Sequence, residues 1–251
     1  MDAEQEFADL VELARHDDGV VGLVLTGSRA SGVGVTEASD WDVRLVVRDD
    51  VRAEYRDRFG TPHGSAVEVF VLTFDGLAAV GEIGSPTAWD RPSYVHAQVV
   101  VDMPDGRVAA LVDTLRTLPP EAAHALAAER LDDYVNSYHR SAKSHRLGHE
   151  VEAHLDAAES IPPLLETLFA LHGRVRPFNK LVRFELEQRP LDGEVWSVEA
   201  LLTRLLRIVA TGDLAEQQRL FRDVEELARA HGLGEVIDSW EPDVTRLRGE
   251  S

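Results

Sequence analysis

An apolar run, Val20-Val21-Gly22-Leu23-Val24-Leu25-Thr26, ends in a turn of small residues, Gly27-Ser28-Arg29-Ala30-Ser31-Gly32. After a loop a second apolar run begins, opened by two acids one residue apart: Asp40-Trp41-Asp42-Val43-Arg44-Leu45-Val46-Val47. The two runs predict neighbouring strands. Successive side chains on a strand point to opposite faces, so Asp40 and Asp42 share one face and Trp41 takes the other, where it is expected to pack into the core. Two carboxylates on one face at a strand end repel each other unless a cation lies between them. A hard, oxygen-seeking ion such as Mg²⁺ relieves that repulsion.

The Gly27-Ser28 turn, the spacer and the Asp40-x-Asp42 pair together resemble the nucleotidyltransferases of the DNA polymerase β superfamily. In that family the Gly-Ser turn opens a short helix that holds a nucleotide phosphate. The physics is general: a helix N-terminus offers unpaired N–H donors and positive dipole charge to an anion, and glycine lets a phosphate approach the backbone. The resemblance assigns Gly27, Ser28 and the adjacent Arg29 to the nucleotide, and Asp40 and Asp42 to two Mg²⁺ ions, with Mn²⁺ as an alternative.

The family's site includes a third carboxylate on a later strand. Ala66-Val67-Glu68-Val69-Phe70-Val71-Leu72 provides one in an apolar setting. An acid within a β-branched run is costly to bury without a partner, so Glu68 is the candidate for the third metal ligand and for the general base that takes the acceptor's proton. Asp102 is the second candidate, although the Met103-Pro104-Asp105-Gly106 turn that follows gives it another reason to be there. Asp75, before Gly76, reads as a helix cap.

Lysine usage is a separate clue. The chain holds two lysines, Lys143 and Lys180, among 26 basic residues. Where arginine has replaced lysine almost everywhere, a surviving lysine points to a need for a compact ammonium on a flexible stem. Asn136, Arg140 and Lys143 fall at helical spacing and form one polar face. Lys180 follows the basic stretch Arg174-Val175-Arg176-Pro177-Phe178-Asn179, which is similar to the Asn-Lys region of antibiotic nucleotidyltransferases. Arg140, Lys143 and Lys180 are therefore expected to contact the triphosphate.

The 251 residues allow one large or two modest domains with real cores. The formal net charge is −19, which opposes general nucleic-acid binding and suits a cationic acceptor. No cysteine is present, so disulfides and thiolate metal sites are excluded. The acidic start, Met1-Asp2-Ala3-Glu4-Gln5-Glu6, lacks the basic and apolar segments of a signal peptide. No apolar run approaches the ~20 residues that span a bilayer, so a cytoplasmic location is expected, with no membrane partner.

Periodicity divides the chain. A helix is expected over 4–15 and strands over 20–26, 41–48, 66–73 and 94–102, with short helices from Ser28 and near 51–59. After Gly106 the strand signals stop and helical patterns run over 107–117, 120–147, 150–172, 178–188, 197–210 and 213–231. The expectation is an α+β chain: a small mixed-sheet catalytic domain over 1–118 and a helical bundle over 119–251. His145, His149 and His154 share a helical stretch but lack zinc-protease spacing, and a polar bundle face is the better account. Trp89 and Asp90 occupy a loop from which either could touch a substrate. Phe178 and Trp196 could stack on a base, although aromatics on helices more often serve the core.

The resemblance then implies transfer of a nucleoside monophosphate, AMP from ATP, onto a hydroxyl with release of pyrophosphate. Chains of this size and layout look like aminoglycoside and lincosamide nucleotidyltransferases, which implies a small-molecule acceptor and a role in antibiotic resistance. The alternatives are transfer onto a protein or tRNA, as in toxin–antitoxin systems, and a non-catalytic nucleotide-binding regulatory module.

Overall fold

The computed structural model describes residues 2–82 and 84–250, and the chain is α+β. It divides into two compact units, Met1–Thr117 with Pro177–Leu181, and Leu118–Arg176 with Val182–Ser251. The short segment Pro177–Leu181 thus belongs to the first unit, which a contiguous division near 118 does not anticipate.

The first unit is built on a four-stranded sheet of order β3-β2-β1-β4. Its strands are β1 (Val20–Thr26), β2 (Trp41–Val47), β3 (Val67–Thr73) and β4 (Gln98–Asp102). β1 runs antiparallel to both β2 and β4, whereas β2 and β3 are parallel. Every residue of β1 is buried, as expected of a central strand covered on both faces. On one face Leu23, Leu25, Val43, Leu45 and Val47 pack with α1 (Ala3–His16) and with Tyr55 of a later helix. On the other, Val24 and Val46 pack with Leu77, Val80, Tyr94, Val108 and Val112.

The connections follow local chemistry. α2 (Gly27–Ser31) ends at Gly32, whose left-handed backbone lets its N–H donate to the Ser28 carbonyl at 2.8 Å. α3 (Arg52–Phe59) leads to the loop before β3, and α4 (Phe74–Ala78) follows β3 directly. The cap of α4 is Thr73, whose hydroxyl accepts from the Gly76 N–H at 3.0 Å; Asp75 lies inside the first turn rather than capping it. The strand expected over 94–102 begins only at Gln98, because Ala88–Tyr94 forms a 3₁₀ helix. Arg91 fixes that helix by donating to the carbonyls of Gly81, Thr114, Leu115 and Thr117.

Asp102 closes the far end of β4. Its carboxylate accepts from the N–H groups of Met103, Val108 and Ala109, and so caps α5 (Arg107–Arg116). Asp102 pairs with Gly22, near the start of β1, whereas Asp42 pairs with Thr26 at its end.

The second unit is helical: α6 (Pro120–Leu147), α7 (Glu150–Glu159), α8 (Ile161–Leu171), the greater part of α9 (Asn179–Gln188), α10 (Val198–Thr211), α11 (Leu214–Ala230), α12 (Gly234–Asp238) and α13 (Asp243–Leu247). The helix expected over 150–172 breaks at Ser160, because Pro162 and Pro163 are tolerated only in the first turn of a new helix. Trp196 is buried in this unit, as a core aromatic. Among the described residues no helix is long and apolar enough to cross a membrane.

Replacing Asp102 with Ala should cost about 1–2 kcal/mol, the usual range for a lost cap, and lower the melting temperature by a few degrees. Stabilisation by added divalent cations should be unchanged. Loss of that stabilisation in a calorimetric melt would instead connect Asp102 to the site described next.

Candidate metal centre

Strand register assembles the centre. Thr26 stands opposite Asp42, and Asp42 stands opposite Glu68 across the parallel β2–β3 pair. Asp40 lies just before β2. Oxygen atoms from Asp40, Asp42 and Glu68 all lie within 4.8 Å of one another, the one such acid or histidine cluster among the described residues. The backbone is held from both sides: the Thr26 hydroxyl donates to the Asp42 carbonyl at 3.2 Å, and the Trp41 N–H donates to the Ala66 carbonyl at 3.0 Å.

Gly27 is required by this arrangement. A Cβ on Gly27 would lie 1.9 Å from Asp42 Oδ2, and its φ of +70° already favours glycine. The small-residue turn and the acid pair, separate features in the sequence, are thus one steric unit.

Opposing influences act on the carboxylates. Burial pushes the Asp42 carboxyl above its ordinary range, Asp40 and Glu68 push it further, and Arg44 and Lys180 offset only part of this. Glu68 is only 2% exposed. Burial would raise it too, but it accepts hydrogen bonds from the Gly64 N–H and, at 2.9 Å, from His63 Nδ1. Those bonds, with the charges of His63 and Arg44, outweigh burial and hold Glu68 below its ordinary value. The hydrogen bond to Glu68, followed by its charge, raises exposed His63 in turn.

The donor set fits a divalent cation. Three carboxylates converge, and the most strained of them, Asp42, is destabilised by like charge that a cation would neutralise. All ligand atoms are oxygens, the choice of a hard ion such as Mg²⁺ or Mn²⁺.

A cavity of about 180 Å³ adjoins the centre, lined by Gly27, Asp42, Arg44, Ser93, Phe178 and Lys180 among others. Phe178 and Lys180 are exposed, and they reach this cavity because Pro177–Leu181 groups with the first unit. Arg29 is directed elsewhere. Its Nε and Nη2 donate to the Ser39 carbonyl at 3.0 and 2.8 Å, and its guanidinium lies 4.3 Å from the centre of the Trp41 ring. It therefore braces the loop between α2 and β2. Trp41, on the face opposite the acids, stacks on Phe7 at 4.0 Å.

Arg140 and Lys143 are exposed on α6 in the second unit. Arg140 pairs with Asp156 at 3.1 Å and Glu159 at 2.7 Å. The neighbouring histidines serve structure: His145 bonds the Gly212 carbonyl at 2.8 Å and His154 the Val209 carbonyl at 2.6 Å. Trp89 is 72% exposed, and Asp90 is engaged by Arg44 and Ser93.

Three contributors to the site lay outside the sequence reading: Arg44, His63 and Gly64. Strand alternation alone places Arg44 on the Asp42 face. His63 and Gly64 carry no local signal, because only the folded loop before β3 brings them onto Glu68.

No protein-family model and no curated protein matches this chain. Among solved structures, a nucleotidyltransferase-like protein from Exiguobacterium sibiricum 255-15 is similar at 12% identity, covering 99% of this chain and 91% of that one, with a TM-score of 0.42.

The raised Asp42 carboxyl has a definite consequence for stability. A folded-state pKa above the unfolded value means that the folded chain holds the proton more tightly. Stability is therefore lost as pH rises from the unfolded value through the folded one. Asp42→Asn should raise the melting temperature of cation-free protein at pH 7 by a few degrees and abolish the gain from millimolar Mg²⁺ or Mn²⁺. Calorimetric melts at pH 7 and near pH 4 check this: the advantage of the variant should shrink at the lower pH, where wild-type Asp42 is more fully protonated.

Proposed function

We propose that this chain is a divalent-cation-dependent nucleotidyltransferase that moves a nucleoside monophosphate, AMP from ATP, onto a hydroxyl of a small molecule and releases pyrophosphate. The observation that carries this reading is the convergence of Asp40, Asp42 and Glu68 beside the Gly27-Ser28 turn, with Gly27 forced to lack a side chain by its contact with Asp42.

Asp40, Asp42 and Glu68 would hold Mg²⁺, which when bound neutralises phosphate charge and lowers the pKa of a coordinated hydroxyl. The chain's own groups do the positioning. Ser28 and the Gly27-Ser28 turn would face the phosphates, and Lys180, which lines the same cavity as Gly27, would contribute positive charge. Asp42 and Glu68 stand side by side in register, so an acceptor hydroxyl and the α-phosphorus can be aligned for in-line attack. Glu68, with its depressed pKa and its hydrogen bonds from Gly64 and His63, is better suited to cation binding than to taking a proton, so the proton that the acceptor hydroxyl loses would pass to solvent. The net charge of −19 favours a cationic acceptor, such as an aminoglycoside, over a nucleic acid.

The test is pyrophosphate release from each nucleoside triphosphate with Mg²⁺ across a panel of aminoglycosides and lincosamides. Release should require an acceptor, and Asp42→Asn should lower it at least ~100-fold, the scale on which removal of a preorganised electrostatic group acts. Full turnover by a folded Asp42→Asn protein would overturn the assignment.

A further inference from the structure

Arg44 stands two residues beyond Asp42 on the same face of β2, and its side chain lines the cavity beside the metal centre. It is 7% exposed. A buried guanidinium normally satisfies its donors with carboxylates or carbonyls. Arg44 does so incompletely. Only Nη2 reaches Asp90, at 3.2 and 3.3 Å from the two oxygens, while Nη1 is buried and makes no hydrogen bond. Burial raises the Tyr94 hydroxyl, and the neighbouring Arg44 guanidinium offsets part of that by its charge and by a long hydrogen-bonding contact, although the pair falls short of full hydrogen-bond geometry.

The guanidinium is also held firmly in place. It lies 4.3 Å from the centre of the Phe70 ring, its register partner on β3. Asp90 is itself steadied by the Ser93 hydroxyl at 2.6 Å. Ser93 and Lys180 line the same cavity. The result is a preorganised cation whose donors are incompletely satisfied, a second cation in the same lining, and about 180 Å³ of space. Since a water occupies ~30 Å³, that space admits a phosphate- or carboxylate-sized group. A desolvated arginine favours an anion over a neutral oxygen, and its planar fork matches both phosphate and carboxylate.

We propose that Arg44 is a substrate-recognition residue that binds an anionic oxygen group, phosphate or carboxylate, in the cavity beside Asp42. The reading deepens the proposed transferase without depending on the identity of its acceptor. The anion belongs either to the nucleotide's phosphate chain or to an acidic acceptor. Asp90 and Phe70 act through Arg44 as positioning residues.

The experiment is isothermal calorimetry of the full chain with Mg²⁺, using inorganic tripolyphosphate and malonate as probes and a non-hydrolysable ATP analogue as competitor. The variants are Arg44→Lys, which keeps the charge and the partner for Asp90, and Arg44→Gln, each checked by thermal melt. Wild type should bind at least one anionic probe, and Arg44→Lys should bind it at least tenfold more weakly while melting as a folded protein. Competition with the ATP analogue would place the anion on the nucleotide. Arg44-dependent binding without competition would place it on the acceptor. Equal affinity in wild type and Arg44→Lys, or no binding of either probe to wild type, would overturn the proposal. The transferase reading fails separately, if the ATP analogue itself does not bind in an Asp42-dependent way.

Discussion

Repulsion among three carboxylates, imposed by strand register, is the constraint on which the site depends. The parallel pairing of β2 and β3 sets Glu68 beside Asp42, and the antiparallel pairing of β1 and β2 sets Thr26 on the other side. A slip of one residue on β2 would turn Asp42 to the opposite face. The apolar residues that alternate with the acids resist that slip, because Val43, Leu45 and Val47 would then leave the core. Hydrophobic packing on one face therefore holds an unfavourable charge arrangement on the other, which is the usual way a fold maintains local strain at a functional position.

The three acids are not equivalent. Glu68 is the most buried, yet donors supplied by His63 and Gly64 keep it ionised. Asp42 is less buried but carries the unrelieved repulsion. One acid is thus prepared by the protein itself, and another is left for a ligand to neutralise. Arg44 moderates both without pairing with either, since its carboxylate partner is Asp90. Arg44 and Lys180 bring positive charge to the cavity beside the cluster, inside a chain of strongly negative net charge.

Much of this was legible in the residues. Apolar runs bounded by turn residues located β1, β2 and β3, and the period of two put Asp40 and Asp42 on one face and Trp41 on the other. Glu68 stood out as an acid in a β-branched run, and the turn after Asp102 already offered another reason for that acid. The start of β4 was misplaced because Tyr94 and Val95 have strand-like side chains, while Arg91 holds the preceding backbone as a 3₁₀ helix through contacts distant in sequence. Arg44 was overlooked although alternation marks its face, since its significance depends on Asp90, 46 residues away. His63 and Pro177–Leu181 were beyond local inference, because their positions follow from tertiary packing alone.

The central claim is that Asp40, Asp42 and Glu68 form one divalent-cation site. Anomalous diffraction from crystals of the protein grown with Mn²⁺ tests it most directly. The account predicts an anomalous peak bonded to carboxylate oxygens of all three residues. Well-ordered carboxylates with no peak between them, or Mn²⁺ bound only at other acidic positions, would contradict it.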